Sequence, residues 1–320
     1  MDLLTKTRLF FVTDIHGSER LLLKFLNAAK AYKANVLVYG GDITGKTVTP
    51  IMAEDGRWRA EYVGSLRTAS TEEELDNLER EIRALGSYPF RTTKNEWDTL
   101  RQTEASMEQV FIQAMRTSLR RWMQIAEERL KPIGVRVIFN AGNDDPPAVR
   151  DILAESDYVI YPEERVVSID DKHEMPSIGF SNMTPWKCPG DLSEEELLSK
   201  LDKVTSGLAD PGNSLFNFHC PPYDTQIDVA PKLDKELRPV LTPGGEPEMD
   251  HVGSISVRQV IEKLQPLAGL HGHIHESRGL SKIGKTVCFN PGSEYVTGVL
   301  RGLILNLSDK KLDNYVFTEG

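Results

Sequence analysis

An α/β fold with mainly parallel strands is what this sequence predicts, on three observations. The apolar runs RLFFVT (8–13), VLVYG (36–40) and VRVIFN (135–140) have strand length and composition. The first of them passes directly into helical spacing. Each run ends in polar residues: Asp14 and His16 after the first, Gly41-Asp42 after the second, Gly142-Asn143-Asp144 after the third. In a layered α/β sheet, ligands bind at the carboxyl ends of the strands, because the loops leaving them are free to vary.

At 320 residues the chain can bury a substantial core, and it is read as a single domain over 1–320. Its formal charge of −10 argues against a broad grip on nucleic acid phosphates, which needs a basic face. Cys188, Cys220 and Cys288 lie far apart and are odd in number, so they are expected to be reduced thiols, with Cys188 and Cys288 in the core. That points to the cytoplasm. The opening MDLLTKTRLFFVTD has too short an apolar run for a signal peptide, and no stretch reaches bilayer length.

Taken in order, Ser18 offers an N-cap to a helix carrying Leu21, Leu22, Phe25, Leu26 and Ala29. A long insertion occupies 49–131. Leu75, Leu78, Ile82 and Leu85 keep helical spacing; after a break at Gly86-Ser87-Tyr88-Pro89 it resumes at Trp97 and Leu100 and runs from Met107 to Ile125. This predicts an inserted helical hairpin with one apolar stripe. Packing of that stripe on the main domain is the plainer reading, and a cap or a homodimer contact is the alternative. Beyond the third strand the pattern gives a helix at 147–155, strands at 158–161, 165–169 and 177–182, and a helix at 193–204. A strand at 214–218 ends in His219-Cys220-Pro221-Pro222, and a helix near 254–265 precedes GLHGHIH at 269–275. The carboxyl end alternates like antiparallel strands.

An Asp and a His two residues apart carry little information alone. The order carries more: D-x-H-G at 14–17, G-G-D at 40–42, G-N at 142–143, His219 after a strand, and G-H-x-H at 272–275. These supply oxygen and imidazole ligands suited to divalent first-row metals.

Those elements, over roughly 8–48 and 133–305, resemble the calcineurin-like metallophosphoesterases. HCPPYDT (219–225), HVGSISVR (251–258), GHIHES (272–277) and NPGS (290–293) carry a closer resemblance to the Icc-related predicted phosphoesterases. The resemblance implies a four-layer α/β/β/α sandwich, two packed mixed sheets flanked by helices. It implies two divalent metal ions, with Asp14, His16 and His275 holding one, Asn143, His219 and His273 the other, and Asp42 bridging through its two oxygens. Manganese is expected, and iron, zinc, nickel or cobalt suit the same ligands. Two cations about 3.5–4 Å apart would activate a shared water for in-line attack. The implied activity is hydrolysis of a small-molecule phosphodiester, with a phosphomonoester next.

Asp42, Asn143, Asp144 and His219 are the candidate catalytic residues, and Asn143, His251 and Ser293 the candidate substrate contacts. His251 reads equally as a solvent-facing loop residue, and the turn at Ser293 as an ordinary tight turn. His271 is expected to support a metal-binding histidine by a hydrogen bond, and His173 to lie on the surface. The chain departs from the family at one place. Where many members read G-N-H-[DE], it reads Gly142-Asn143-Asp144-Asp145, putting Asp144 where a histidine protonates the leaving oxygen. A carboxylate can do that only if burial or a like charge raises its pKa. Modest activity with good leaving groups is therefore expected. The competing readings are a metal-binding scaffold for protein contacts, which the missing histidine favours, and a nuclease, which the charge disfavours.

Overall fold

Strands form at the three apolar runs 8–13, 36–40 and 135–140, whereas the strand predicted at 158–161 is reduced to an isolated bridge between Ile160 and Ile138. In the computed structural model, which describes residues 6–320, the elements begin with β1 (Thr7–Val12), α1 (Glu19–Ala31) and β2 (Val36–Tyr39). Residues 1–5, the start of the amino-terminal run considered above as a signal peptide, lie outside the described residues. The insertion holds β3 (Thr47–Glu54), β4 (Arg57–Tyr62), β5 (Ser65–Ala69), α2 (Glu72–Ala84), β6 (Ser87–Thr93), α3 (Lys94–Leu100) and α4 (Glu104–Leu130). The chain continues with β7 (Arg136–Phe139), α5 (Ala148–Leu153), β8 (Val166–Ser168), β9 (Glu174–Ile178), β10 (Ser181–Asn182), β11 (Asp191–Leu192), α6 (Glu194–Thr205) and β12 (Leu215–Phe218). Then come β13 (Val229–Pro231), β14 (Met249–His251), α7 (Ile255–Leu264), β15 (Ala268–Leu270), β16 (Gly279–Ile283), β17 (Thr286–Asn290), β18 (Arg301–Ser308) and β19 (Lys311–Glu319).

Two mixed sheets make the body. One has the order β19-β18-β1-β2-β7, and the other β16-β17-β15-β12-β9-β8. In the first, β1, β2 and β7 are parallel; in the second, β9, β12, β15 and β17 are parallel. Alternation along each strand decides the layering. Leu9, Phe11, Val36, Val38 and Ile138 point to the second sheet and pack with Leu215, Ala268, Leu270 and Phe289. Their neighbours Phe10, Val12, Leu37, Tyr39, Val137 and Phe139 point the other way, onto α1, α4 and α5. The far face of the second sheet, with Phe216, Phe218 and Cys288, takes α6 and α7. The result is the expected four-layer α/β/β/α sandwich. Among the described residues no helix is long and apolar enough to cross a membrane.

The insertion differs from the predicted helical hairpin. The helices α2 and α4 lie where the spacing puts them, but they serve different cores. The stripe on α4 (Met115, Leu119, Trp122, Met123, Ala126, Leu130) is buried in the main core, so the chain itself covers it. Leu75, Leu78 and Ile82 of α2 instead cover a four-stranded sheet, β5-β4-β3-β6, with its own small core of Ile51, Ala60 and Ala69. Sequence reading missed these strands because Pro50 and Pro89 lie within β3 and β6, where proline normally argues against a strand. The alternation Trp58-x-Ala60-x-Tyr62 in β4 was the available signal.

Candidate metal centre

Each parallel strand hands a polar loop to the same edge. Asp14 and His16 follow β1, Asp42 follows β2, Asn143 follows β7, His219 follows β12, and His273 and His275 follow β15. The loops turn sharply. Asp14 (φ 55°), His16 (43°), Asp42 (54°) and His273 (66°) all sit in the left-handed region. Non-glycine residues seldom adopt it, and they cluster there at functional sites, where the surrounding structure over-determines the backbone. At Gly142 the constraint is space, because a Cβ would collide with the Asp42 carboxylate.

The side chains converge from both sheets. Asp14, His16 and His275 present ligand atoms within 4.8 Å of one another, and Asp42, His219 and His273 form a second such group. His275 Nε2 lies 3.4 Å from Asp14 Oδ1, and His16 Nε2 faces His275 Nε2 at 3.2 Å. Asp42 Oδ2 borders both groups, 3.5 Å from His219 Nε2 and 3.9 Å from His16 Nε2. Its other oxygen accepts the Asp144 N–H at 3.1 Å. Asn143 donates its amide to Asp191 Oδ1 at 2.8 Å, and its own Oδ1 is buried.

Divalent cations fit this donor set. Among the described residues, His16 Nδ1, Asn143 Oδ1 and both nitrogens of His219 have no hydrogen-bond partner although they are buried. Buried polar atoms rarely stay unpaired, and unpartnered nitrogen and oxygen atoms around two buried carboxylates suit a metal. The protonation pattern agrees. Burial works against ionising Asp14 and Asp42, yet the His219 imidazole beside them holds both below their ordinary value. Burial also opposes a charge on His219, but Asp42 and Asp14 overcome it and push the imidazole up to about 9. Burial holds His16 and His273 down at about 4. A protonated His219 thus supplies positive charge that two buried carboxylates need and that a cation would supply in its place.

Residues beyond the ligands brace the loops. Asp145 accepts the N–H groups of Gly142 (2.7 Å), Ile43 (3.0 Å) and Thr44 (2.8 Å), joining the Asp42 and Asn143 loops. Tyr39 takes the Ile15 N–H and donates to the Asp42 carbonyl at 2.7 Å. The Tyr295 ring lies 4.6 Å from that of His16. Sequence reading passed over all of these; Asp145, beside the G-N pair, was the one within reach of a motif.

The remaining candidates fall as follows. Burial and then Asp42 raise the Asp144 carboxyl, while its pairing with Lys46 opposes the rise. Ser293 donates to the Asp14 carbonyl at 2.6 Å and its N–H to the His275 carbonyl, tying two ligand loops together. His251 is held by Asp228 at 2.8 Å and lines a surface cleft with Asp224 and Thr225. His271 Nδ1 lies 2.7 Å from the Phe218 carbonyl and 3.1 Å from that of Cys220, so it steadies the His219 backbone rather than a histidine ring. Contrary to expectation, His173 is buried, because Asp170 satisfies its Nδ1 at 2.8 Å. Cys188 is half-buried rather than core, with its Sγ 3.8 Å from Asp144; Cys220 and Cys288 are buried.

Fold and centre together define a class: an α/β sandwich whose facing sheets carry a histidine- and carboxylate-rich centre suited to divalent metals. No family model matches the chain. It is 34% identical over 159 residues to an uncharacterized protein of Methanocaldococcus jannaschii, a match spanning 49% of this chain and 64% of that one. The protein TT1561 of Thermus thermophilus aligns over 99% of both chains, with TM-score 0.54 and 12% identity. Another solved structure does so with TM-score 0.55 and 16% identity. At such identities the likeness establishes a shared fold.

Proposed function

We propose that this chain is a calcineurin-like metallophosphoesterase, of the Icc-related kind, that hydrolyses a small-molecule phosphodiester with two divalent cations, manganese foremost. The observation that carries the reading is the convergence of Asp14, His16 and His275 with Asp42, His219 and His273, with His219 Nε2 3.5 Å from Asp42 Oδ2 and 3.7 Å from Asp14 Oδ1. When bound, the cations would supply Lewis acidity and a water activated at neutral pH. The chain supplies the rest. Asp14 and Asp42 provide negative charge that offsets repulsion between cations, and the neutral imidazoles of His16 and His273 offer lone pairs. Asn143, its amide held by Asp191, would offer its buried carbonyl oxygen to a cation. The net charge of −10 favours a small substrate over nucleic acid. With no histidine after Asn143, aryl esters are expected to react faster than alkyl esters.

The test is hydrolysis of a chromogenic phosphodiester by chelator-stripped protein, with and without added Mn²⁺. Activity should return with the metal and be lost in Asp42→Asn. Absence of hydrolysis with every divalent metal tried, or hydrolysis indifferent to chelation, would refute the proposal.

A further inference from the structure

Asp144 is fixed beside the centre at two points. Its N–H donates to Asp42 Oδ1 at 3.1 Å, and its Oδ2 lies 4.0 Å from His16 Nδ1. The same Oδ2 is paired with the ammonium group of Lys46. Lys46 stands in the loop between Asp42 and β3, and its side chain is 52% exposed. The loop is not free to wander, because the Gly45 N–H donates to the buried Tyr88 hydroxyl at 2.9 Å, fastening it to β6. The Tyr295 ring packs beside His16, with ring centroids 4.6 Å apart.

An ammonium group has three donors and no acceptor. Asp144 engages one side of the Lys46 group, and the side chain keeps about half its surface exposed next to Asp144 and the centre. Unpaired, the Asp144 carboxylate would repel an approaching phosphate ester; with Lys46 against it, the pair presents a cation. A lysine is a compact point charge that grips phosphate oxygens without demanding one orientation.

We propose that Lys46 binds the phosphoryl oxygens of the substrate and stabilises the negative charge that develops on the leaving oxygen, with Asp144 as its positioning residue and not as a proton donor. This rests on the phosphoesterase reading above. No proton need pass through either side chain, since the departing oxygen can take one from water.

The test uses the full chain loaded with Mn²⁺, comparing the wild type with Lys46→Met, Lys46→Arg, Asp144→Asn and the double variant Lys46→Met/Asp144→Asn. Metal content is measured first, and Lys46→Met should keep it. Inorganic phosphate, followed by calorimetry, should bind about tenfold or more weakly to Lys46→Met, with partial recovery in Lys46→Arg. Across aryl phosphodiesters, the rate of Lys46→Met should fall most for the poorest leaving groups. The double variant should be no slower than Lys46→Met, as expected of a residue that acts through its partner. Unchanged phosphate binding in Lys46→Met at full metal content would overturn the proposal. So would a double variant much slower than Lys46→Met, which would give Asp144 a role of its own. The phosphate arm needs no turnover, so it reports on Lys46 even if the wild type hydrolyses no ester and the phosphoesterase reading fails.

Discussion

Asp191 holds Asn143 by the amide: Asn143 Nδ2 donates to Asp191 Oδ1 at 2.8 Å. The other Asp191 oxygen accepts the N–H groups of Thr184 (3.0 Å) and Cys188 (2.9 Å), so one carboxylate fixes both the amide and the loop at 184–188 beside the centre. Without Asp191 the Asn143 amide could rotate and present its NH₂ to a cation. Outer partners of ligand groups typically contribute about 10–100-fold to metal affinity. Asp191→Ala should therefore weaken Mn²⁺ binding by about that factor with the fold retained, as calorimetry and far-UV circular dichroism would show. Unaltered affinity would mean that Asn143 is not held for a metal.

Gly142 tests the same geometry through sterics. Its backbone dihedrals are open to any residue, but the Asp42 carboxylate and backbone N–H occupy the place a Cβ would take. Gly142→Ala should displace Asp42, a carboxylate that borders both ligand groups. A misplacement of about 1 Å can cost about a hundredfold in rate. The expected outcome is a loss of that order in phosphodiester hydrolysis, with bound metal per chain reduced and the thermal transition still cooperative. Wild-type metal content and rate would show that the approach of the two loops is not required.

What could be read from sequence follows from the range of the interactions involved. The ligand loops were legible because each sits directly after an apolar strand, so local order alone carries the signal. Asp191 and Lys46 were not, since their significance lies in contacts with Asn143 and Asp144 that the fold creates. The same holds for His173, which flanking charges suggest is exposed and which Asp170 permits to be buried. In the insertion, helical spacing located α2 and α4 but could not show that they pack on different cores. Pro50 and Pro89 hid the sheet between them.

That division gives a prediction about stability. Trp122 of α4 is 1% exposed within the main core, whereas Leu66, in β5 opposite Glu61, is 66% exposed. Trp122→Ala should cost roughly 3–5 kcal/mol, in line with large-to-small substitutions in cores. Leu66→Ser should change stability by about 0.5 kcal/mol or less. Urea denaturation of the metal-loaded protein would compare them. A small effect of Trp122→Ala would return α4 to the role of a detachable cap.

Glu163, which is not among the candidate metal ligands, sets a pH dependence of its own. It is buried, both its oxygens accept the Gly179 N–H (2.9 and 3.0 Å), and Arg150 Nη1 lies 3.6 Å away. Burial outweighs these partners and raises the carboxyl from 4.5 to about 7. The folded protein therefore holds this proton more tightly than the unfolded chain. The resulting stabilisation is complete below pH 4.5 and disappears as the pH climbs through about 7. At about 1.4 kcal/mol per pH unit, the change across that window is about 3 kcal/mol at most. Glu163→Gln keeps an acceptor for Gly179 and removes the ionisation. Its stability relative to wild type should rise between pH 4.5 and 7 and level off above, measured by chemical denaturation at fixed ionic strength. A difference that stays flat across this range would mean that Arg150 compensates the Glu163 charge in full, and that burial does not govern this carboxyl.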